Sequence, residues 1–286
     1  DKADIRDNSL LRHAPMPEIV ARVAERIAKM FQKHPRRSGA GPAGSRYEHW
    51  APLGTDQVMA KQVATTLTRL LTGNLPIEAQ AAFLTARLNG IPKALGGTRV
   101  LGCGGVPRRI VGRAVAQELQ EQISAGVGPQ QFGLKQDGAG AVHRMINAHM
   151  SMRKGTMVAG ADITDAFPSI LRDSVLKGSK KHCPPVHALA GQWVADSASQ
   201  VAYGEAGEDP KRAGQHRGLD QGCPLSTAMY ALAVRDALEA VQELMRRLDP
   251  ESKVLAYLDD TYLSVSYMHL TLPTTKVMVR SRADAS

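Results

Sequence analysis

Residues 256–263 read Ala-Tyr-Leu-Asp-Asp-Thr-Tyr-Leu, two adjacent carboxylates set between two runs of β-forming residues. Val254, Tyr257 and Leu258 stand on one side and Thr261, Tyr262, Leu263 and Val265 on the other. The pattern predicts a hairpin with Asp259 and Asp260 at its turn. Asp is also an ordinary turn residue, because its side chain bonds local backbone. An acidic pair on a rigid hairpin tip is equally what a catalyst uses to hold divalent cations. The rest of the chain has to choose between these readings.

A third carboxylate comes from Gly160-Ala161-Asp162-Ile163-Thr164-Asp165-Ala166-Phe167-Pro168-Ser169, where the apolar run Met157-Val158-Ala159 predicts a strand, within 156–163, delivering Asp162 at its end. Two carboxylates ~4 Å apart repel by about 4 kcal/mol at an effective dielectric of 20. Three together call for cations. Oxygen donors suit Mg²⁺, which keeps several waters and takes substrate phosphates as further ligands. Two such ions can activate an attacking oxygen and stabilise a leaving one. Downstream, Gly218-Leu219-Asp220-Gln221-Gly222-Cys223-Pro224-Leu225-Ser226 feeds the start of a long helix over about 225–248. Gly222 allows close approach to the backbone, and a helix N-terminus favours anions. A loop with Pro at the first helical position is also common.

Composition narrows the partner. The chain has 286 residues, 43% of them hydrophobic, and a net charge of +9 from 36 Lys+Arg against 27 Asp+Glu. That is enough for a sizeable core and favours a polyanion, nucleic acid first. Cys103, Cys183 and Cys223 are too far apart for a disulfide framework and point to a reducing compartment. His182, Cys183 and His187 lack a fourth ligand for a zinc site. No apolar run approaches membrane-spanning length, and no signal peptide is visible. The first residue is Asp1 rather than Met, as expected of a fragment.

Helical periodicity covers 17–32, with Ile19, Val20, Val23, Ile27, Met30 and Phe31 as the apolar stripe. Residues 33–54 read as a flexible basic loop. Thr55 is expected to cap a helix whose Val58, Val63, Leu67, Leu70 and Leu71 face the core, ending at Gly73. A third helix should run from Pro76 to near Asn89-Gly90. An extended segment with a Gly96-Gly97 turn follows over 93–101, then helices from Pro107 to about Ile123, over 138–152, 171–178 and 185–197. Residues 198–217 read as polar turns. Helices with a few scattered strands and a final hairpin indicate an α+β fold.

Taken together, these blocks resemble the reverse transcriptases, especially the non-long-terminal-repeat retrotransposon branch. Asp162-Ile163-Thr164-Asp165-Ala166-Phe167-Pro168-Ser169, Gln221-Gly222-Cys223-Pro224-Leu225-Ser226 and Tyr257-Leu258-Asp259-Asp260 look like three successive palm blocks. Ile91-Pro92-Lys93, Thr98-Arg99-Val100-Leu101 and Val106 to Ala114 resemble fingers blocks. Pro129 to Gly133 and Asp137-Gly138-Ala139 resemble the stretch between fingers and palm. The resemblance covers about 75–266. Thr227 and Val100 depart from it, each where the family usually has Pro.

The resemblance implies a right-hand polymerase architecture: an N-terminal extension over 1–74, fingers over 75–155 and a palm over 156–265, its small antiparallel sheet packed on helices, with no thumb following. It implies that Asp162, Asp259 and Asp260 hold two Mg²⁺ ions, with Mn²⁺ as a substitute. Lys93 and Arg99 would grip the triphosphate. Phe167 would lie under the sugar and favour dNTPs, and Gln221 and Gly222 would contact nucleotide and template. Arg108, Arg109 and Arg113 would track template phosphates. The partners implied are an RNA template, a DNA or RNA primer and dNTPs, without a membrane, inside the cell and in the nucleus. Two other readings are a nucleic-acid-binding remnant that does not polymerise and an RNA-dependent RNA polymerase. Residues 266–286, from Ser266-Tyr267-Met268-His269-Leu270, resemble translated sequencing adapter and are expected to be foreign or disordered.

Overall fold

The structure is a computed structural model, and it describes residues 17–33, 38–72, 76–94, 96–194, 199–202 and 210–266. The chain divides into two compact units. One comprises 1–126 and 165–233, the other 127–164 and 234–286. The expected fingers and palm ranges are each shared between them. The fold is α+β, with two small sheets among helices.

In the first unit, helix α1 (Pro17–Gln32) buries Ile19, Val23, Ile27 and Phe31, the inner edge of the expected stripe. The segment read as a basic loop is in its second half a 3₁₀ helix, Tyr47–Thr55. It forms because Trp50 stacks on Phe31, ring centroids 6.3 Å apart, and donates its indole N–H to Ser45 Oγ. Its first half includes 34–37, which lie outside the described residues. Helix α2 (Gln57–Leu67) is capped by Asp56, not Thr55: the Asp56 carboxylate accepts from the N–H groups of Val58 and Met59. Ala60, Ala64 and Leu67 are its buried residues; of the expected core face Leu67 is buried as read, whereas Val58 is 67% exposed. A short α3 (Arg69–Thr72) carries buried Leu70 and Leu71; Gly73 lies outside the described residues.

The third expected helix is shorter than its periodicity suggested. Helix α4 (Ile77–Leu84) gives way to strand β1 (Ala86–Pro92), which pairs antiparallel with β2 (Thr98–Gly104). The tight turn between them uses Gly96 and Gly97 at φ +90° and +84°, backbone that glycine adopts without steric cost. Helix α5 (Val106–Glu118), with Pro107 in its first turn, and α6 (Gln120–Gly126) replace the single expected helix. Residues 198–217, read as turns, contain β4 (Ser199–Ala202) and β5 (Lys211–Gly214), completing a sheet in the order β2-β1-β4-β5. Their short polar sequences carry no alternation, and pairing with β1 supplies what propensity does not.

In the second unit, α7 (Gly138–Met152) follows its expected range. Strands β3 (Thr156–Ala161), β6 (Lys253–Tyr257) and β7 (Asp260–Ser266) form an antiparallel sheet in the order β3-β7-β6. Both faces are covered. Leu255 packs with Phe132 and Val142, joined by Tyr257 and Tyr262. On the opposite face Val254 and Ala256 pack with Leu238, joined by Val234, Met245 and Leu263. Leu238 and its neighbours belong to the later part of the long helix (Ser226–Leu248). Two-sided burial explains why Val254 to Tyr257 read as one apolar run. This is the small antiparallel sheet packed on helices that the sequence predicts.

Candidate active site

The carboxylates are placed by strand ends. Strand β3 stops at Ala161 and Asp162 follows at once. Ala161 stands opposite Thr261, so the next step of the same antiparallel register sets Asp162 opposite Asp260. The β6–β7 hairpin is one position different from expectation. Tyr257 pairs with Asp260, so the two turn residues are Leu258 and Asp259, and Asp260 opens β7. Leu258 has φ +57°, a left-handed conformation unusual for a branched side chain. Positive φ at the first central residue alone is the pattern of a type II′ turn, where glycine is the usual occupant.

Electrostatics links all three groups. Burial raises the Asp260 pKa, and the charges of Asp259 and Asp162 raise it further. The residue as a whole is exposed, but its carboxyl loses hydration against the sheet end. The donor set is all carboxylate oxygen, which fits Mg²⁺ or Mn²⁺ by hardness. Among the described residues, no three acidic, histidine or cysteine side chains are drawn together tightly enough to enclose a metal ion. The carboxylates share one sheet end.

The other predicted residues lie in the first unit. Lys93 is exposed in the β1–β2 turn, its N–H bonded to the Gly97 carbonyl, and Arg99 is exposed in β2 opposite Ile91. Phe167 is half-buried in the short helix α8 (Ala166–Ser169) and stacks on Tyr230, centroids 4.7 Å apart. Tyr230, buried at the start of the long helix Ser226–Leu248, is a support the sequence did not flag. Gln221 is half-buried and Gly222 exposed. A Cβ on Gly222 would meet the Gly102 carbonyl oxygen at 2.7 Å, so close packing against β2 demands glycine there whatever else it touches.

Two of the three expected phosphate-tracking arginines are turned inward. Arg108 is buried, ion-paired with Asp220 at 2.9 Å and bonded to the Leu84 carbonyl at 3.1 Å. Arg109 is buried, donates to the Gly39 carbonyl at 2.9 Å and lies 4.9 Å from the Tyr47 ring centroid. Only Arg113 is exposed. Their burial has a plain cause: consecutive residues on a helix point to different sides, and here two long side chains reach inward to acceptors. Arg113 instead lines an open groove with Arg26, Lys29, Lys33, Tyr47 and Gln117.

The sequence of residues 91–283 matches the family described as reverse transcriptase (RNA-dependent DNA polymerase). The chain belongs to the reverse transcriptase family. The match contains the Asp162, Gln221 and Asp259 blocks and runs past the end of β7. No curated protein matches this reverse transcriptase chain. Among solved structures it is similar to an apo telomerase from Candida tropicalis truncated from its C-terminal domain, at 11% identity and a TM-score of 0.47. That likeness covers 77% of this chain, which spans only 56% of the telomerase chain. No helix among the described residues is long and apolar enough to cross a membrane. Residues 267–286 lie outside the described residues, so the suspected foreign tail is not seen, apart from Ser266 pairing with Thr156 in the sheet.

Proposed function

We propose that this chain is the polymerase part of a retroelement reverse transcriptase, extending a primer 3′-hydroxyl with dNTPs on an RNA template. The observation that carries this reading is the meeting of Asp162 and the Asp259-Asp260 turn at one sheet end, within a chain of this family. Asp162, Asp259 and Asp260 would hold two divalent cations. When bound, such ions lower the pKa of the attacking hydroxyl and neutralise charge on the phosphate. The protein's own part is to hold three carboxylates in place at the strand ends. Exposed Lys93 and Arg99 would bind the triphosphate as donors. Phe167, braced by Tyr230, would present a flat ring to the sugar and clash with a 2′-hydroxyl. The groove of Arg26, Lys29, Lys33 and Arg113 supports nucleic-acid binding through phosphate charge.

The test is primer extension by the 286-residue chain on an RNA template with Mg²⁺, offering dNTPs or NTPs. Extension with dNTPs that Asp259→Asn abolishes, with template binding intact, supports the proposal. Extension with NTPs alone would replace it by an RNA polymerase. Template binding with no extension under any condition would leave a nucleic-acid-binding remnant.

A further inference from the structure

Gln131 lies in the block between the expected fingers and palm segments, and its side chain is wholly buried. Every polar atom of its amide is engaged. Oε1 accepts from the N–H of Leu258 at 2.8 Å and from the N–H of Gly133 at 2.9 Å. Nε2 donates to the carbonyl of Leu258 at 3.3 Å. One glutamine therefore holds both backbone groups of the residue that carries φ +57° in the catalytic hairpin.

The surrounding backbone completes the grip. The Ala256 N–H bonds the Gln130 carbonyl at 2.8 Å, and the Phe132 N–H bonds the Ala256 carbonyl at 2.7 Å. Residues 130–132 thus run beside β6 as a short parallel bridge at Gln131 and Ala256. Gly133 then closes over the turn, so tightly that a Cβ there would lie 2.9 Å from the Leu258 nitrogen and 2.5 Å from its Cδ2.

Left to itself, a leucine avoids positive φ. Returning Leu258 to negative φ would rotate the Leu258–Asp259 peptide and carry Asp259 away from the sheet end. A buried amide that gives two of its three hydrogen bonds to one residue's backbone is a specific opposing restraint. We infer that Gln131 is a positioning residue for the reaction proposed above: it clamps Leu258 in the left-handed conformation and so sets where Asp259 and Asp260 present their carboxylates. This rests on the polymerase reading for its purpose but not for its geometry.

The experiment compares the 286-residue chain with Gln131→Met, Leu258→Gly and the two combined. Methionine keeps the length and volume of the side chain and removes the donor and the acceptor. Amide hydrogen exchange is read at Leu258 and Gly133, with α7 and β3 as internal references. Gln131→Met should accelerate exchange at the two amides by about tenfold, the worth of a lost hydrogen bond, and leave the references unchanged. Leu258→Gly alone keeps the clamp and should keep both amides protected. No acceleration in Gln131→Met, uniform acceleration through the unit, or lost protection in Leu258→Gly would each overturn the clamp.

Primer extension supplies the second readout. Gln131→Met should lower kcat more than it raises KM for the dNTP. Adding Leu258→Gly should recover part of that loss, because glycine accepts positive φ without restraint. A rise in KM alone, or no recovery, would overturn the positioning role. Asp259→Asn is run in parallel: if it leaves extension untouched, the polymerase reading fails, and hydrogen exchange still decides the clamp.

Discussion

Arg108 and Asp220 form an ion pair at 2.9 Å in which the side chains are 4% and 1% exposed. The guanidinium also donates to the Leu84 carbonyl and lies 5.4 Å from the Trp193 ring centroid. The pair sits beneath β2, where a Cβ on Gly102 would meet the Asp220 carboxylate at 2.5 Å. A residue that the sequence assigns to phosphate tracking is thus part of the framework beneath the β1–β2 hairpin.

Breaking this pair on one side strands a buried charge. Arg108→Met should destabilise the first unit by about 3–5 kcal/mol. Removing both charges, with Arg108→Met and Asp220→Leu together, should cost less than Arg108→Met alone. Urea unfolding of the single and double variants checks this. A double variant weaker than Arg108→Met would mean that the ion pair is not what these side chains contribute.

Asp249 ties three segments of the second unit. Its carboxylate accepts twice from Arg153 Nη1, at 3.1 and 2.8 Å, and from the N–H groups of Glu251 and Ser266. The Arg153 guanidinium, with these amides, holds its pKa down at about 2, against an ordinary 3.8. A lowered folded-state pKa stabilises the fold above the unfolded-state value, and that contribution is lost as pH falls through the folded-state value. Acid unfolding of the second unit should therefore steepen between about pH 4 and pH 2. Asp249→Asn should flatten the stability profile in that window, as followed by far-ultraviolet circular dichroism.

Asp260 behaves in the opposite sense. Its pKa is raised by burial and then by Asp259 and Asp162. Either Asp162→Asn or Asp259→Asn should bring it down, read from the Asp260 carboxyl carbon resonance across a pH titration. An unmoved value would mean that the carboxylates do not sense each other. A raised carboxylate favours its neutral form in the folded state, so its contribution to stability fades as pH rises through its range. Divalent-cation binding needs the ionised form and should strengthen over the same rise. Terbium luminescence, competed with Mg²⁺, measures it.

Phe167 is half-buried and stacks on Tyr230. Phe167→Val should relax discrimination against NTPs in primer extension while leaving the unit folded. Unaltered discrimination would remove Phe167 from the sugar contact.

The basic groove makes a salt prediction. Affinity for a single-stranded RNA should fall linearly with log salt, and removing the charge of Lys29, Lys33 or Arg113 should each reduce the slope by about 1. Fluorescence anisotropy across a salt series checks it. An unchanged slope for all three would place the RNA elsewhere.

Local patterns determined much of this protein. The α1 stripe, the α7 range, the long helix from Ser226, strand β3 leading into Asp162 and the acidic hairpin are all legible because helix period, strand alternation and turn chemistry act over a few residues. The same locality marked the three carboxylates and the family they resemble. What the tertiary structure alone decided depends on partners distant in sequence. Strands β4 and β5 exist through pairing with each other and with β1, and Arg108 and Arg109 turn inward to acceptors on other segments. The turn itself divides the same way: its acidic pair is written at 259–260, but its one-residue shift and the left-handed Leu258 are seen only with Gln131, 127 residues earlier, bonded to its backbone. A buried glutamine can hold a strained backbone that no short stretch of sequence would choose.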